Sequence, residues 1–345
     1  MKRERAVTLK DVAERSGVAI STASRALSRP GRVSPATTER VRAAARELGY
    51  SPAMSGRALR LGRTGMVALV VPDVTNQFFM GVVRGVQARL RAGEYMHVLV
   101  DTEESVEAEE RALRTLRTSV DGFVLASPRL DEPRLTAWAR RVPLVALNRT
   151  TPKPAVVVDT PNGAVQALEH LASLGHRRVA YAGGPRSSWS DSHRRAALRS
   201  ASRKLRVEVV GLGPYLPRRM AGPAAADAVL ASGVTAVIAF NDLIAFGILD
   251  RFRERGVRVP HDVSVVGCDD VFGADLVQPT LTTVHSPNER AGFHAADLLL
   301  TRLDPMHDDA ELSGVLLPTH LVPRDSSGPA PRADRLGAGP YAASL

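Results

Sequence analysis

Ser21, Thr22, Ser24 and Arg25 crowd into the nine residues ISTASRALS, where Ala23, Ala26 and Leu27 recur at helical spacing. A helix over 20–28 that turns those three apolar residues inward leaves the two serines, the threonine and the arginine facing out. Hydroxyls donate and accept hydrogen bonds, and a guanidinium carries a permanent charge on a planar fork of five N–H donors. Such a face is suited to gripping a polyanion, not to making or breaking bonds. A second set of polar residues follows apolar runs further on: Asp73, Asn148, Arg149, Asn241 and Asp269, with Arg194 opening a helical stretch. A guanidinium, a carboxylate and an amide together suit vicinal hydroxyls or a carboxylate.

The elements that present the first set can be read locally. Thr8 and Asp11 have capping-box spacing, Leu9, Val12 and Ala13 share one helical face, and Gly17 permits a sharp turn. Ser34-Pro35 places an N-cap serine and a first-turn proline ahead of a third helix burying Val41, Ala45 and Leu48. Two short helices joined by a glycine turn and packed by a third are the pattern of a helix-turn-helix. Charge agrees: residues 1–63 hold 14 Lys/Arg against 5 Asp/Glu, a net +9 within a chain of +10. A polyanion-facing surface concentrates charge in this way, whereas a general solvated surface spreads it.

At 345 residues and 44% hydrophobic content the chain predicts two or three folded domains. One cysteine, Cys268, excludes an intrachain disulfide, which suits a reducing compartment. The start MKRERAVTLKD is basic with no apolar run behind it, so no signal peptide is expected. No run of eighteen apolar residues occurs, so no membrane span is expected either. A cytoplasmic protein is the expectation, on the nucleoid when DNA is bound.

From Gly65 the pattern alternates. MVALVV, HVLV, GFVLA and PLVAL are apolar runs of the kind buried on both faces of a parallel sheet, separated by helical stretches near 77–92, 104–118 and 131–141. A second series begins with a helix near 162–174. It continues through RVAYAGG, a helix near 192–204, VEVVG, a helix near 221–232, AVIAF, a helix near 242–255, SVVGC, LTTV and a last helix near 287–303. Two successive series predict two doubly wound lobes with ligands at the carboxyl ends of their strands. After Arg324 the composition turns to Gly, Pro and Ala without periodicity, which reads as a disordered tail lacking the leucine heptads of a coiled coil.

The headpiece stretch resembles that of the LacI/GalR family of bacterial transcription regulators, and the likeness continues through VPDVTNQFF, VVVDTPNGAVQALEHLASLGHRRVAYAGGP, AVIAFNDLIAFGIL, VPHDVSVVGCDD, PTLTTV and LVPRDSS. These run in the family's order over residues 8–328. The resemblance implies a small all-α helix-turn-helix domain plus a two-lobed, periplasmic-binding-protein-like α/β domain of parallel sheets. It divides the chain into a headpiece over 1–50, a hinge over 51–63, an effector-binding and dimerisation domain over 64–328, and a tail over 329–345. It implies a homodimer on a near-palindromic double-stranded DNA operator, switched by a small molecule, with a sugar or sugar derivative the leaning and repression the favoured outcome. Arg25 is then the candidate for bidentate guanine recognition, Ile20 and Ser21 are the other base readers, and Thr22 and Ser24 position the backbone. In the hinge, Leu59 would be the minor-groove wedge, with Arg57 and Arg60 on phosphates or the groove floor; a plain linker is the alternative.

The chain departs from the family at three places. Ala53 and Gly56 stand where an Asn and an Ala are usual in the hinge, and Ala19 stands where a capping serine is usual. The effector would lie against Asp73, Phe78, Asn148, Arg149, Arg194, Asn241 and Asp269, with Trp189 or Tyr215 as further apolar faces. Some alternatives stay open at this point. Asp269-Asp270 also reads as a loop or capping pair, Arg194 beside Arg195 as solvated charge, the two phenylalanines at 78 and 79 as core, and Arg149 competes with Asn148 for the ligand-facing role.

Other chemistry lacks its signature. The sequence holds no zinc spacing, Walker loop, nucleophile elbow or dinucleotide glycine fingerprint. His170 and His176, six apart, point to different faces of one helix end. No cofactor, metal or catalytic activity is expected. A solute-binding protein is the rival that the basic headpiece argues against, and an enzyme using the cleft is the rival that lacks a catalytic constellation.

Overall fold

The computed structural model describes residues 7–28, 31–50, 63–306 and 313–331. They form two compact units that divide at Gly65.

The described residues of the first unit form three helices: α1 (Leu9–Ser16), α2 (Ile20–Ser28) and α3 (Pro35–Glu47). Thr8 and Asp11 close the capping box, with the Thr8 N–H donating to Asp11 Oδ2 at 2.6 Å and the Asp11 N–H to Thr8 Oγ1 at 3.4 Å. Gly17 ends α1 in the left-handed conformation (φ 67°), which a side chain would strain. The helices meet over Val12, Ala13, Ala23, Ala26, Val41 and Ala45. Alanines at the contacts let three short helices approach closely enough to bury a core of such small size. Ala19 opens α2 through its backbone alone, its carbonyl accepting from the Thr22 and Ala23 N–H groups at 2.9 and 3.0 Å.

The second unit has two lobes. In the first, β1 (Met66–Val71), β2 (Met96–Asp101), β3 (Gly122–Ala126), β4 (Leu144–Leu147), β5 (Ala155–Val158) and β11 (Val315–Leu317) run in the order β11-β5-β4-β3-β1-β2, all parallel. Helices α4 (Gln77–Ala92), α5 (Val106–Leu116), α6 (Glu132–Ala139) and α11 (Asn288–Leu303) cover its faces. The second lobe repeats the scheme with β6 (Arg178–Ala182), β7 (Glu208–Leu212), β8 (Ala236–Ala239), β9 (Ser264–Asp269), β10 (Thr282–His285) and β12 (His320–Val322). Their order is β12-β10-β9-β8-β6-β7, and only β12 is antiparallel to its neighbour. Its helices are α7 (Thr160–Ser173), α8 (Trp189–Leu205), α9 (Gly222–Ala231) and α10 (Asp242–Glu254).

In each lobe the strand order reverses direction about the first strand, β1 or β6, and at such a switch point the loops part to leave a crevice. The chain crosses between lobes three times: from β5 to α7, from β10 to α11, and from β11 to β12. Helix α11 thereby returns to the first lobe and packs on α4 at glycine contacts. A Cβ on Gly85 would lie 1.9 Å from the Glu289 carbonyl oxygen, and one on Gly292 would lie 2.1 Å from that of Val82.

Two expectations need correction. Strands β5, β11 and β12 lie next to crossovers and were not anticipated; β11 and β12, with three residues each, are too short to show a period. The stretch after Arg324 is not a loose end as far as residue 331. Ser326 is fully buried and bonds to the Val265 carbonyl at 2.6 Å, the Gly328 N–H reaches Ser264 Oγ, and the Ala330 N–H reaches the Leu174 carbonyl. Its Gly, Pro and Ser content reflects a strand-free path over the second lobe.

Candidate functional site

On the first unit, α2 turns Ala23 and Ala26 into the core, and its other face is open. Ile20 is 49% exposed, Ser21 and Arg25 are exposed, and Thr22 and Ser24 are half-buried at the edges. Arg25 has no hydrogen bond or ion pair among the described residues, unlike Arg15, which is tied to Glu47 at 2.6 Å, and Arg46, tied to Glu39 at 2.8 Å. An unpartnered guanidinium beside hydroxyls, on a helix held from behind, is available to an external acceptor. Arg57, Leu59 and Arg60, with Ala53 and Gly56, lie outside the described residues.

On the second unit, a cleft lies between the two lobes and is lined from both. Of the seven anticipated residues, Phe78, Asn148, Arg194 and Asp269 line it. Phe78 and Phe79 pack edge to face, with centroids 5.0 Å apart. Both also belong to the first-lobe core, so the core and cleft readings hold together. Arg194 is 4% exposed, which sets aside the solvated-charge reading; it donates to the Phe240 carbonyl and lies over the Phe240 ring at 4.9 Å. Its Nε is buried with no partner. Burial pushes the Asp269 carboxyl well above the usual carboxylate range, nearby Asp242 adds to the rise, and Arg194 opposes it.

The other three turn away from the cleft. Asp73 is fully engaged: Oδ1 accepts from the Thr75 N–H and hydroxyl at 2.9 and 2.6 Å, and Oδ2 from Arg218 Nε at 2.8 Å. Burial works to raise its carboxyl, but those hydrogen bonds outweigh it and hold the group below the usual range. Because Arg218 belongs to the second lobe, this bond spans the two lobes. Arg149 is buried behind the next loop, its Nη2 donating to the Pro128 and Leu130 carbonyls at 2.8 and 2.6 Å. Asn241 caps α10 and donates to the Pro217 carbonyl at 3.1 Å. A residue just past a strand has two directions open to it, into the crevice or back into the loop, and sequence does not say which.

Asp270 is engaged with His285 and Arg324, at 3.0 and 2.8 Å. Neither Asp269 nor Asp270 caps a helix among the described residues; the oxygens of Asp242 accept from the Val271 N–H beside them and from the Thr283 hydroxyl. Trp189 stacks on His193 at 3.7 Å, and Tyr215 packs against the second-lobe core.

The cleft also recruits residues that sequence reasoning missed: Ser127 and Arg129 after β3, Glu104 after β2, and Asn76. From the second lobe come Ser188, Ser190, Pro217 and Phe240. Ser127 and Phe240 obey the same strand-end rule that picked out Asn148, so that signal was present. Glu104 and Arg129 have none in sequence. Several of these residues hold a left-handed backbone without being glycine: Glu104 (φ 63°), Ser127 (51°), Asn148 (58°) and Asp269 (119°). Each such conformation costs about 1–3 kcal/mol, and such strain collects where a fold presents side chains to a ligand. Asn148 spends both ends of its amide, donating to Ser127 Oγ at 2.9 Å and accepting from the Val158 N–H at 3.2 Å.

Among the described residues no group of three His, Cys, Asp or Glu side chains is arranged to hold a metal ion, and no helix is long and apolar enough to cross a membrane.

Two family models match the chain: bacterial regulatory proteins of the lacI family over residues 8–53, and a periplasmic binding protein-like domain over 168–327. The HTH-type transcriptional repressor CytR of Escherichia coli (strain K12) is 30% identical over 317 residues, covering 89% of this chain and 92% of the relative. The HTH-type transcriptional regulator CelR of Thermobifida fusca is 34% identical over 343 residues, covering 94% and 100%. Among solved structures, the lac repressor dimer bound to operator and the anti-inducer ONPF has a TM-score of 0.84 at 28% identity, over 94% of this chain and all of that one. The CelR–cellobiose complex has a TM-score of 0.68 at 34% identity, over 93% and 100%.

Proposed function

The chain belongs to the lacI family of bacterial regulatory proteins, and from that premise we propose that it is a homodimeric repressor whose hold on a near-palindromic operator is set by a small molecule in the cleft. Two copies of α2 enter successive major grooves. Arg25 takes a guanine by two parallel N–H bonds, Ile20 and Ser21 contact neighbouring base edges, and Thr22 and Ser24 hold the backbone. Arg57, Leu59 and Arg60 serve the minor groove between the half-sites. The effector lies against Phe78, Asn148, Arg194 and Asp269. Its binding changes how far the lobes close, and coupling of that kind is typically about 1–3 kcal/mol, enough to shift operator occupancy.

The observation that carries this reading is the open face of α2. It presents hydroxyls and a guanidinium that has no partner among the described residues, within the 63 residues that hold nearly all the chain's excess charge. The test is fluorescence anisotropy of the full chain on DNA from upstream of its own gene, against random duplex of equal length, with and without saccharides. The reading predicts preference for one palindrome and a saccharide that shifts it. Equal affinity for all duplexes under every condition sinks it.

A further inference from the structure

We propose that His285 and His320 form a binding site for a divalent transition-metal cation, with Asp270 as the carboxylate that orients it. Neither histidine lines the cleft, and the site stands apart from the operator reading. His285 is the last residue of β10 and His320 the first of β12, and the antiparallel pairing of those strands sets the two directly opposite each other. Side chains opposite one another leave the same face of a sheet, with Cβ atoms about 4.5–5.5 Å apart. The two ring centres are 4.9 Å apart, and the ring planes are 38° from parallel. The His285 side chain is 40% exposed and His320 is exposed, so both are open to ions in solution.

Asp270 Oδ2 lies 3.0 Å from His285 Nδ1. The carboxylate holds the ring proton on Nδ1, which leaves the lone pair on Nε2 and fixes the ring's direction. A carboxylate behind the ring is the usual support of a metal-ligating histidine. The ring nitrogens of His320 make no hydrogen bond among the described residues, and its outer torsion is soft, so it turns an edge to a shared ion at little cost. A transition metal sits about 2.0–2.1 Å from a ligating ring nitrogen, hence about 3.2 Å from the ring centre. Two rings sharing one ion then have centres about 5.2 Å apart at a tetrahedral angle and about 4.5 Å apart at a right angle. The observed 4.9 Å falls between the two.

The other Asp270 oxygen accepts from Arg324 Nη2 at 2.8 Å, so the carboxylate's charge is already matched. The ion is therefore held by imidazole coordination and not by net charge, with water completing its shell. That disfavours Mg²⁺ and Ca²⁺, which need several oxygen ligands, and favours Cu²⁺ over Ni²⁺ and Zn²⁺. The placement has a mechanical consequence. β10 runs on into α11 of the first lobe, and β12 follows β11 of the first lobe after two residues. An ion on both histidines ties two of the crossovers together where they meet the second lobe, and so stiffens the joint between the lobes.

The test is titration calorimetry on the untagged, metal-stripped full-length protein with the chlorides of Cu²⁺, Ni²⁺, Zn²⁺ and Mg²⁺ in turn. Cu²⁺ should bind more tightly than Ni²⁺ or Zn²⁺, and Mg²⁺ at least a hundredfold more weakly than Ni²⁺. His285→Ala and His320→Ala should each weaken the tightest Ni²⁺ site at least tenfold. Asp270→Asn, which suits the left-handed backbone there (φ 55°), should weaken it about tenfold or more. His193→Ala, on α8, should leave it unchanged. Because His320 is exposed, its variant keeps the fold and decides the matter even if the others do not. Ni²⁺ should also slow hydrogen exchange at Ser286, Asn288 and Thr319 in the unaltered protein and not in His320→Ala. No transition metal bound, Mg²⁺ bound as tightly as Ni²⁺, or undiminished Ni²⁺ affinity in either histidine variant overturns the proposal.

Discussion

Arg25 and Asp242 show how differently single charged residues act in this chain. Arg25 is exposed and has no partner among the described residues, so its value lies in what it meets outside. Replacing it with alanine should leave the fold intact and lower the preference for operator over random duplex by about 5- to 150-fold, the worth of one bidentate base contact at ~1–3 kcal/mol. Unchanged selectivity in a competition assay would remove Arg25 from base reading. Asp242 is the opposite case, fully buried, with burial pushing its carboxyl up to about 6. The folded state therefore binds this proton more tightly than the unfolded chain does. The contribution of Asp242 to stability is greatest below about pH 4, falls as pH rises towards 6, and is level above, with a full penalty of about 3 kcal/mol. Asn at 242 cannot ionise, yet it can still accept the Val271 N–H and donate to the Thr283 hydroxyl. Relative to the unaltered protein, Asp242→Asn should gain stability between pH 4.5 and 7.5 in urea unfolding. A pH-independent difference would show that another group titrates.

At the scale of elements, the helices depend on a few local choices. Ala19 leaves the first turn of α2 without a side-chain cap, and Ala19→Ser should add about 1 kcal/mol there. The amide protons of Ser21 and Thr22 should then exchange about fivefold more slowly, and equal rates would mean that the serine does not cap. Helices α4 and α11 touch backbone to backbone at Gly85 and Gly292. Gly85→Ala must push them apart at a cost of about 1–3 kcal/mol, seen as a lower urea midpoint; an unmoved midpoint would contradict so close an approach. These helices were legible in sequence because eight to sixteen residues show a 3.6-residue period. The crossover strands were not, since β11 and β12 have only three residues each and owe their conformation to the sheets they join.

At the scale of the molecule, the two lobes of the second unit are hinged by three crossovers and bridged by Arg218 to Asp73 at 2.8 Å. The guanidinium is 45% exposed, so solvent and salt weaken the bridge to at most about 1 kcal/mol. That is still enough to bias a cleft between open and closed. Arg218→Ala should raise the ligand-free radius of gyration at low salt, and the unaltered protein should approach the variant's value as salt increases. Identical scattering at all salt concentrations would show that the bridge does not govern closure.

What sequence determined alone was everything with a period or a local charge balance: the capped three-helix head, its cationic excess, the alternation of strand and helix, and the strand ends where a ligand belongs. Which strand-end side chain faces the cleft was decided only by tertiary packing. Asp73, Arg149 and Asn241 turned back into loops that needed their hydrogen bonds. Glu104 and Arg129, 25 positions apart and unremarked in the chain, were brought together by neighbouring loops of one sheet. A buried polar group must find a partner, and that partner is chosen by the fold in three dimensions, not by spacing along the chain.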